Sequence, residues 1–115
     1  MESNEKTPLT YEQQMAILEK KHDDEIKKVE YLRHEAAVLR HKGDVFGELI
    51  KTNPDEAQRI MPLVHDDLNA AVRFNFEHYH EVKKLGDLTK TLLIKKRMHD
   101  QFHIDDYGAE SLNTD

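Results

Sequence analysis

The sequence contains no cysteine and no tryptophan, and only four glycines and three prolines occur among its 115 residues. The lack of cysteine excludes disulfide bonds and thiol catalysis. The scarcity of glycine and proline leaves long stretches without a residue that breaks helices. Charged residues make up 35% of the chain and hydrophobic residues 37%, which is typical of long, solvated helices. We therefore expect one all-α domain without a deep, enclosed pocket.

The chain also has no apolar run of about 18 residues, so no membrane span is predicted. Its first ten residues are polar and carry both charge signs, unlike a cleaved signal peptide. A net charge of -6 disfavours nucleic-acid binding, which needs a concentrated basic surface. The basic residues between Lys83 and Arg97 fit the end of a helix, where the helix dipole favours cations. The expected location is cytoplasmic, or outside the cell by a route without a cleaved signal peptide.

A seven-residue pattern runs from Tyr11 to Ile50 and predicts one long helix with a packed stripe. One heptad position is occupied by Met15, His22, Val29, Ala36, Gly43 and Ile50. The other is occupied by Tyr11, Leu18, Glu25, Leu32, Leu39 and Phe46. A partner helix must cover this stripe.

Capping residues suggest where the helices begin and end. Thr10, three residues before Gln13, forms a capping box, and Asn53 followed by Pro54 forms a second helix start. Glycine often closes helices, so Gly43 predicts an end to the first helix. We expect a flexible tail over 1–9, a hairpin domain over 10–106 and a second tail over 107–115. Within the domain, the sequence predicts helices over about 11–42 and 63–104 and a helical corner over about 43–62.

Pro62 leaves two alternatives open, a short helix ending near Met61 or a longer helix kinked at the proline. Beyond it, one face of the second helix is predicted to pack inward. That face comprises Val64, Leu68, Ala71, Val72, Asn75, Tyr79, Val82, Leu85, Thr89, Leu92 and Leu93. The short corner predicts an antiparallel helical hairpin.

More apolar residues occur on the second helix than one neighbouring helix would cover. The surplus residues are predicted to bind another protein, and they are Phe74, Phe76, Leu88, Ile94 and Met98. Phe102 also lies outside the inner face. The covering partner is another helical protein or a second copy of the chain.

The spacing of several histidines matches part of known metal-binding patterns. Glu19 with His22, and Glu77 with His80, match the Glu-x-x-His pairs of di-iron bundles, but the further glutamates are not specified. His99 and His103 are four residues apart and have no third zinc ligand at a fixed spacing. There is also no phosphate loop and no nucleophile motif. We therefore expect no metal, no cofactor and no enzymatic activity.

The segment Phe102-His103-Ile104-Asp105-Asp106 places an aromatic residue four positions before an acid, near the end of the second helix. A helical hairpin with this motif resembles the WXG-like and LXG-associated small proteins of type VII secretion in Gram-positive bacteria. The chain lacks the Trp-x-Gly turn, and its corner reads Gly43-Asp44-Val45-Phe46-Gly47, so the LXG-associated proteins are the nearer likeness. The resemblance implies that Phe102 and Asp106 form an export motif.

The expected function is that of a non-catalytic adaptor. The resemblance implies a targeting or chaperone-like partner for the helical region of a secreted LXG-type toxin, or pairing with a sister small hairpin protein. The alternative is a homo-oligomeric coiled-coil regulator, or a small phage or stress adaptor.

Overall fold

The computed structural model describes residues 9–109 and 112, which form two long helices and, within these ranges, no strand. Helix α1 comprises Tyr11–Thr52 and helix α2 comprises Pro54–Phe102. The helices pack against each other, which confirms the predicted all-α helical hairpin. The tail predicted over residues 1–9 lies almost wholly outside the described residues.

The start of α1 is the predicted capping box. The backbone N–H of Gln13 donates to Oγ1 of Thr10 at 3.1 Å, and the N–H of Thr10 donates to Oε1 of Gln13 at 2.9 Å. Two backbone donors that have no intrahelical partner are thereby satisfied.

The predicted corner over about 43–62 is wrong, because α1 continues through Gly43 to Thr52. Glycine permits a helix to end but does not force it to end, and the buried Phe46 extends the packed stripe by another turn. The connection is Asn53 alone. Its N–H donates to the carbonyl of Leu49 at 2.8 Å, and its Oδ1 accepts from the N–H of Glu56 at 3.3 Å. Asn53 therefore ends one helix and caps the next.

The structure excludes the alternative in which a short helix ends near Met61. This residue lies inside α2, which begins at Pro54 and continues past Pro62 to Phe102. A proline inside a helix removes one backbone donor and crowds the preceding turn. The packing of the residues around it must offset that cost.

The chain divides into two compact units, which are described separately. Among the described residues, the central unit comprises 26–83, and the terminal unit comprises 9–25, 84–109 and 112. In the central unit, Lys28 pairs with Glu81 at 3.1 Å and Lys42 pairs with Asp67 at 3.9 Å. The later of the two α1 residues pairs with the earlier of the two α2 residues, so the helices are antiparallel.

The register predicted for α1 agrees with its burial. The residues seven apart are all buried from Leu18 onward, namely Leu18, Glu25, Leu32, Leu39 and Phe46, and Gln14 is the other buried residue of α1. The other heptad position is intermediate from Met15 to Gly43, and only Ile50 is exposed. A single apolar stripe therefore identified the packed face of α1.

The inner face predicted for α2 is wrong in part. Val64, Ala71, Leu85 and Leu92 are buried in part, as expected. Several others lie on the surface, namely Leu68, Val72, Asn75, Tyr79, Val82, Thr89 and Leu93. The least exposed heptad positions are instead Ala57, Val64, Ala71, His78, Leu85, Leu92 and His99, together with Ile60, Asp67, Phe74, Glu81, Leu88 and Lys95. The packed face includes five charged or histidine residues, which an apolar pattern does not identify.

Candidate functional site

A row of large apolar side chains lies on the outer surface of α2 in the central unit. We call it the outer stripe, and it comprises Met61, Leu68, Val72, Phe76, Tyr79 and Val82. Their exposed fractions range from 42% at Val82 to 72% at Phe76. From Leu68 onward the members follow at intervals of three or four residues, which places them on one side of the helix.

The residues predicted to bind a partner are only partly on this surface. In the central unit, Phe76 is 72% exposed, whereas Phe74 is half-buried on the packed face of α2. In the terminal unit, Leu88, Ile94 and Met98 are half-buried. Phe74 and Leu88 belong to the heptads that pack inward, so they contribute to folding. A binding role for this set of five stays a prediction.

The outer stripe borders an apolar groove in the same unit. The groove has a volume of about 510 Å³ and is lined by Phe46, Ile50, Pro54, Ala57, Gln58, Met61 and Pro62. Met61 belongs to both features. The apolar surface of the central unit thus begins near the connection between the helices and continues along α2.

In the terminal unit, the chain folds back along α2 after Phe102. We call residues 103–109 the strap. His103 adopts a left-handed backbone with φ of 57°, and the N–H of Ile104 then donates to the carbonyl of Met98 at 3.0 Å. Gly108 also has a positive φ, 74°, and a Cβ atom there would lie 3.2 Å from Cγ2 of Thr91. The loose tail predicted over 107–115 therefore begins with residues of the strap, 107–109, that pack against α2.

Lys95 is fully buried beneath the strap, with 0% of its surface exposed. Its Nζ donates to Oε1 of Gln14 at 2.5 Å, to the carbonyl of Asp105 at 2.9 Å and to the carbonyl of Tyr107 at 2.7 Å. An ammonium group has three donors, and here each has an acceptor. The ring of Tyr11 adds a weaker contact, with its centroid 5.9 Å from Nζ.

The site also contains a histidine that joins the start of α1 to the strap. The rings of Tyr11 and His99 are stacked, with centroids 3.7 Å apart and planes inclined by 8°. Nδ1 of His99 lies 2.5 Å from Oδ1 of Asp105. This arrangement orients the Asp105 side chain toward α2.

Burial and charge act on two groups here. Burial lowers the pKa of Lys95, while the negative charges of Asp105 and Asp106 act in the opposite direction. Burial raises the pKa of the Tyr11 hydroxyl, and the charges of Asp100 and Asp105 raise it further. The buried ammonium is thus stabilised mainly by neutral carbonyl oxygens.

The sequence alone did not identify the Lys95 site. A signal was nevertheless present, because Lys95 follows Glu81 and Leu88 at intervals of seven. With the correct register for α2, this heptad position would have placed Lys95 on the packed face. The predicted inner face of α2 wrongly included Leu68 and Tyr79, and this register left Lys95 off the packed face.

The structure separates the two residues of the predicted export motif. Phe102 is the last residue of α2 and is 58% exposed, whereas Asp106 is an exposed residue of the strap. Because the left-handed His103 intervenes, they do not occupy positions i and i+4 of one helix. Their role in export stays a prediction.

The histidines considered for metal binding have other surroundings. Nε2 of His22 lies 2.8 Å from Oγ1 of Thr89, while His80 and His103 are exposed. Within residues 9–109, no group of three or more His, Asp and Glu side chains is arranged to hold a metal ion.

No protein-family model, no curated protein and no solved structure matches the chain. No helix among the described residues is both long and apolar enough to cross a membrane. The residues of the chain itself are therefore the basis for its proposed function.

Proposed function

We propose that this chain is a non-catalytic adaptor that binds an amphipathic helix of another protein through the outer stripe. The observation that carries this proposal is the exposure of six large apolar side chains on one side of α2. Fully covering a side chain of this size contributes about 1.5–3 kcal/mol. Contiguous apolar surface of this kind commonly marks an interface.

The shape of the stripe indicates the shape of the partner. From Met61 to Val82 the helix rises by about 30 Å, at about 1.5 Å per residue. A row whose members lie three, four or seven residues apart on one side of a helix is complementary to a second helix of similar length. A helical partner with its own apolar face is therefore the expected occupant.

The resemblance to type VII secretion proteins supplies the more specific form of the proposal. The partner is then the helical region of a secreted LXG-type toxin or a sister small hairpin protein, and the chain acts as its targeting or chaperone-like subunit. Phe102 and Asp106 serve export. Both side chains are exposed, as a recognition signal requires.

The second candidate is a homo-oligomeric coiled-coil regulator, in which a second copy of the chain covers the outer stripe. The regular helical spacing of the outer stripe favours this candidate as much as the first, because such a stripe can pack against its own copy around a two-fold axis. Both candidates use the outer stripe, and they differ in whether another protein or a second copy of the chain covers it.

Two matched variants test the interface. Phe76→Asp places a charge in the outer stripe, and Tyr31→Asp places one on α1, where Tyr31 is 57% exposed. Both variants should keep the helical circular dichroism of the wild type. On co-expression with the helical region of an LXG-type toxin, wild type and Tyr31→Asp should co-purify with it, whereas Phe76→Asp should not.

The outcomes separate the candidates. If wild type purifies without the toxin region and sediments as a dimer that Phe76→Asp dissociates, the homo-oligomer replaces the secretion adaptor. If Phe76→Asp changes neither association, the outer stripe is not an interface and the adaptor proposal fails.

A second experiment tests the export motif independently. Phe102→Ala and Asp106→Ala should keep the toxin complex intact inside the cell and prevent its appearance outside. Gln101→Ala, an exposed neighbour on the last turn of α2, is the control and should be exported normally. Normal export of all three variants would remove the export role and leave the binding role standing.

A further inference from the structure

Lys95 joins three segments of the terminal unit through one buried ammonium group. It belongs to α2, it donates to Gln14 near the start of α1, and it donates to the carbonyls of Asp105 and Tyr107 in the strap. Both of its strap acceptors are backbone atoms. The bonds therefore depend on the path of the strap rather than on its side chains.

A second chain of contacts joins the same segments. The Tyr11 ring in the first turn of α1 stacks on His99, and His99 contacts the Asp105 carboxylate in the strap. The first turn of α1 and the strap therefore share two neighbours on α2, Lys95 and His99.

We propose that the first turn of α1 and the strap form one terminal latch, which opens and closes as a unit around Lys95. Burying an ammonium group is tolerable only while all three of its hydrogens are accepted. Loss of the strap carbonyls exposes Nζ to water. The hydrogen bond from Nζ then no longer holds the Gln14 side chain in place. Loss of the Gln14 oxygen weakens the strap in the same way.

The latch is a conformational device at the end of the hairpin where the chain termini emerge. Closed, it covers Lys95 and orders residues 103–109. Open, it exposes the ammonium group of Lys95 to water and frees the segment that contains Asp106. The device does not involve the outer stripe, so it does not depend on the proposed function.

Gly108 allows the strap to be disturbed without altering Lys95 or its acceptors. Alanine is strained at a φ of 74°, and its Cβ would crowd Thr91 at 3.2 Å. Gly86→Ala is the matched control, because a Cβ at Gly86 meets nothing within 4 Å. Lys95→Met removes the ammonium group, and Lys96→Met does the same at an exposed neighbour.

Hydrogen exchange on the full chain tests the proposal. The amide of Gln14, bonded to the Thr10 carbonyl, reports on the first turn of α1. The amides of Ile104 and Ala109, bonded to the carbonyls of Met98 and Asp106, report on the strap. Gly108→Ala should accelerate exchange about tenfold at all three amides, including the distant Gln14. Gly86→Ala and Lys96→Met should not.

Combining the variants separates one latch from two independent contacts. In the double variant with Lys95→Met, Gly108→Ala should cause little further acceleration at Gln14, because the connection through Lys95 is already lost and only the contacts of His99 remain. Acceleration confined to the strap, additive effects at Gln14, or unchanged exchange at all three amides would each overturn the proposal. If Lys95→Met does not fold, the comparison of Gly108→Ala with Gly86→Ala still decides it.

Discussion

Nε2 of His22 lies 2.8 Å from Oγ1 of Thr89, and the Thr89 hydroxyl donates to the Leu85 carbonyl at 3.0 Å. Because that hydroxyl has already used its only hydrogen, it accepts from His22, and Nε2 of the imidazole bears the proton. A histidine within an otherwise apolar stripe is thus accommodated by one hydroxyl on the opposing helix.

This relationship predicts the effect of removing the hydroxyl. Thr89→Val keeps the shape of the side chain and leaves the imidazole without its acceptor, so the free energy of unfolding should fall by about 0.5–1 kcal/mol. Urea denaturation measures the change. His80→Ala, at an exposed histidine of α2, should alter it by less than about 0.5 kcal/mol. Equal effects would contradict the assigned role of Thr89.

Adjacent residues of α1 provide a test of its register. Leu32 is 4% exposed and Tyr31 is 57% exposed. Leu32→Ala should lower the free energy of unfolding by about 2–5 kcal/mol, because it removes a buried side chain and leaves a cavity. Tyr31→Ala should cost less than about 1 kcal/mol. Similar melting temperatures for the two variants would refute the register.

Pro62 should be a site at which the protein can be stabilised. It lies within α2 and cannot donate a hydrogen bond to the preceding turn. Pro62→Ala restores that donor and should raise the free energy of unfolding by about 1–3 kcal/mol in chemical denaturation. Gln58→Ala, one turn earlier and exposed, should change it little. A loss of stability in Pro62→Ala would show that the proline is required by its packing.

The buried ammonium predicts a pH dependence of stability. Burial lowers the pKa of Lys95 in the folded protein, whereas the unfolded chain keeps a lysine pKa of about 10.4. Between these two values the unfolded chain binds more protons, so the contribution of Lys95 to folding becomes more favourable as pH rises through this window. The free energy of unfolding of wild type, relative to Lys95→Met, should therefore increase as pH rises toward about 10.

Tyr11 acts in the opposite direction at the upper end of that range. The pKa of its hydroxyl is raised in the folded protein, so its contribution is complete below about pH 10 and is lost above it. Measurements in a Tyr11→Phe background remove this effect. In that background, a relative stability that falls with pH would contradict the predicted sign for Lys95.

Metal content provides a further check. The predicted pairs Glu19 with His22 and Glu77 with His80 are incomplete ligand sets, and His99 contacts Tyr11 and Asp105 instead. Elemental analysis of the purified protein should therefore find no stoichiometric zinc, iron or manganese. About one metal ion per chain, lost in His22→Ala or His80→Ala, would make the protein a metalloprotein.

The two candidate sites differ in how far the sequence predicted them. Surplus apolar residues on α2 correctly indicated that this helix has more than one apolar side, although only Phe76 of the predicted set is largely exposed. The strap was not predicted, because residues after Phe102 have no periodicity and their path depends on hydrogen bonds to Lys95. Every residue has a backbone carbonyl, so hydrogen bonds to backbone carbonyls are not recognisable from the sequence.

The sequence by itself determined the helical class, the start of each helix and the packed face of α1. The caps at Thr10 and Asn53 act within a few residues, and α1 has one apolar stripe, so burial of Leu32 and Leu39 had no competing arrangement. The tertiary structure alone decided which stripe of α2 packs inward. Two sets of apolar residues on α2 recur with similar helical periods, so periodicity alone does not show which set packs inward. The choice favours the face with Ala57 and Ala71, whose small side chains permit close approach, and with Glu81 and Lys95, whose charges find partners there. It leaves Leu68, Val72 and Tyr79 exposed.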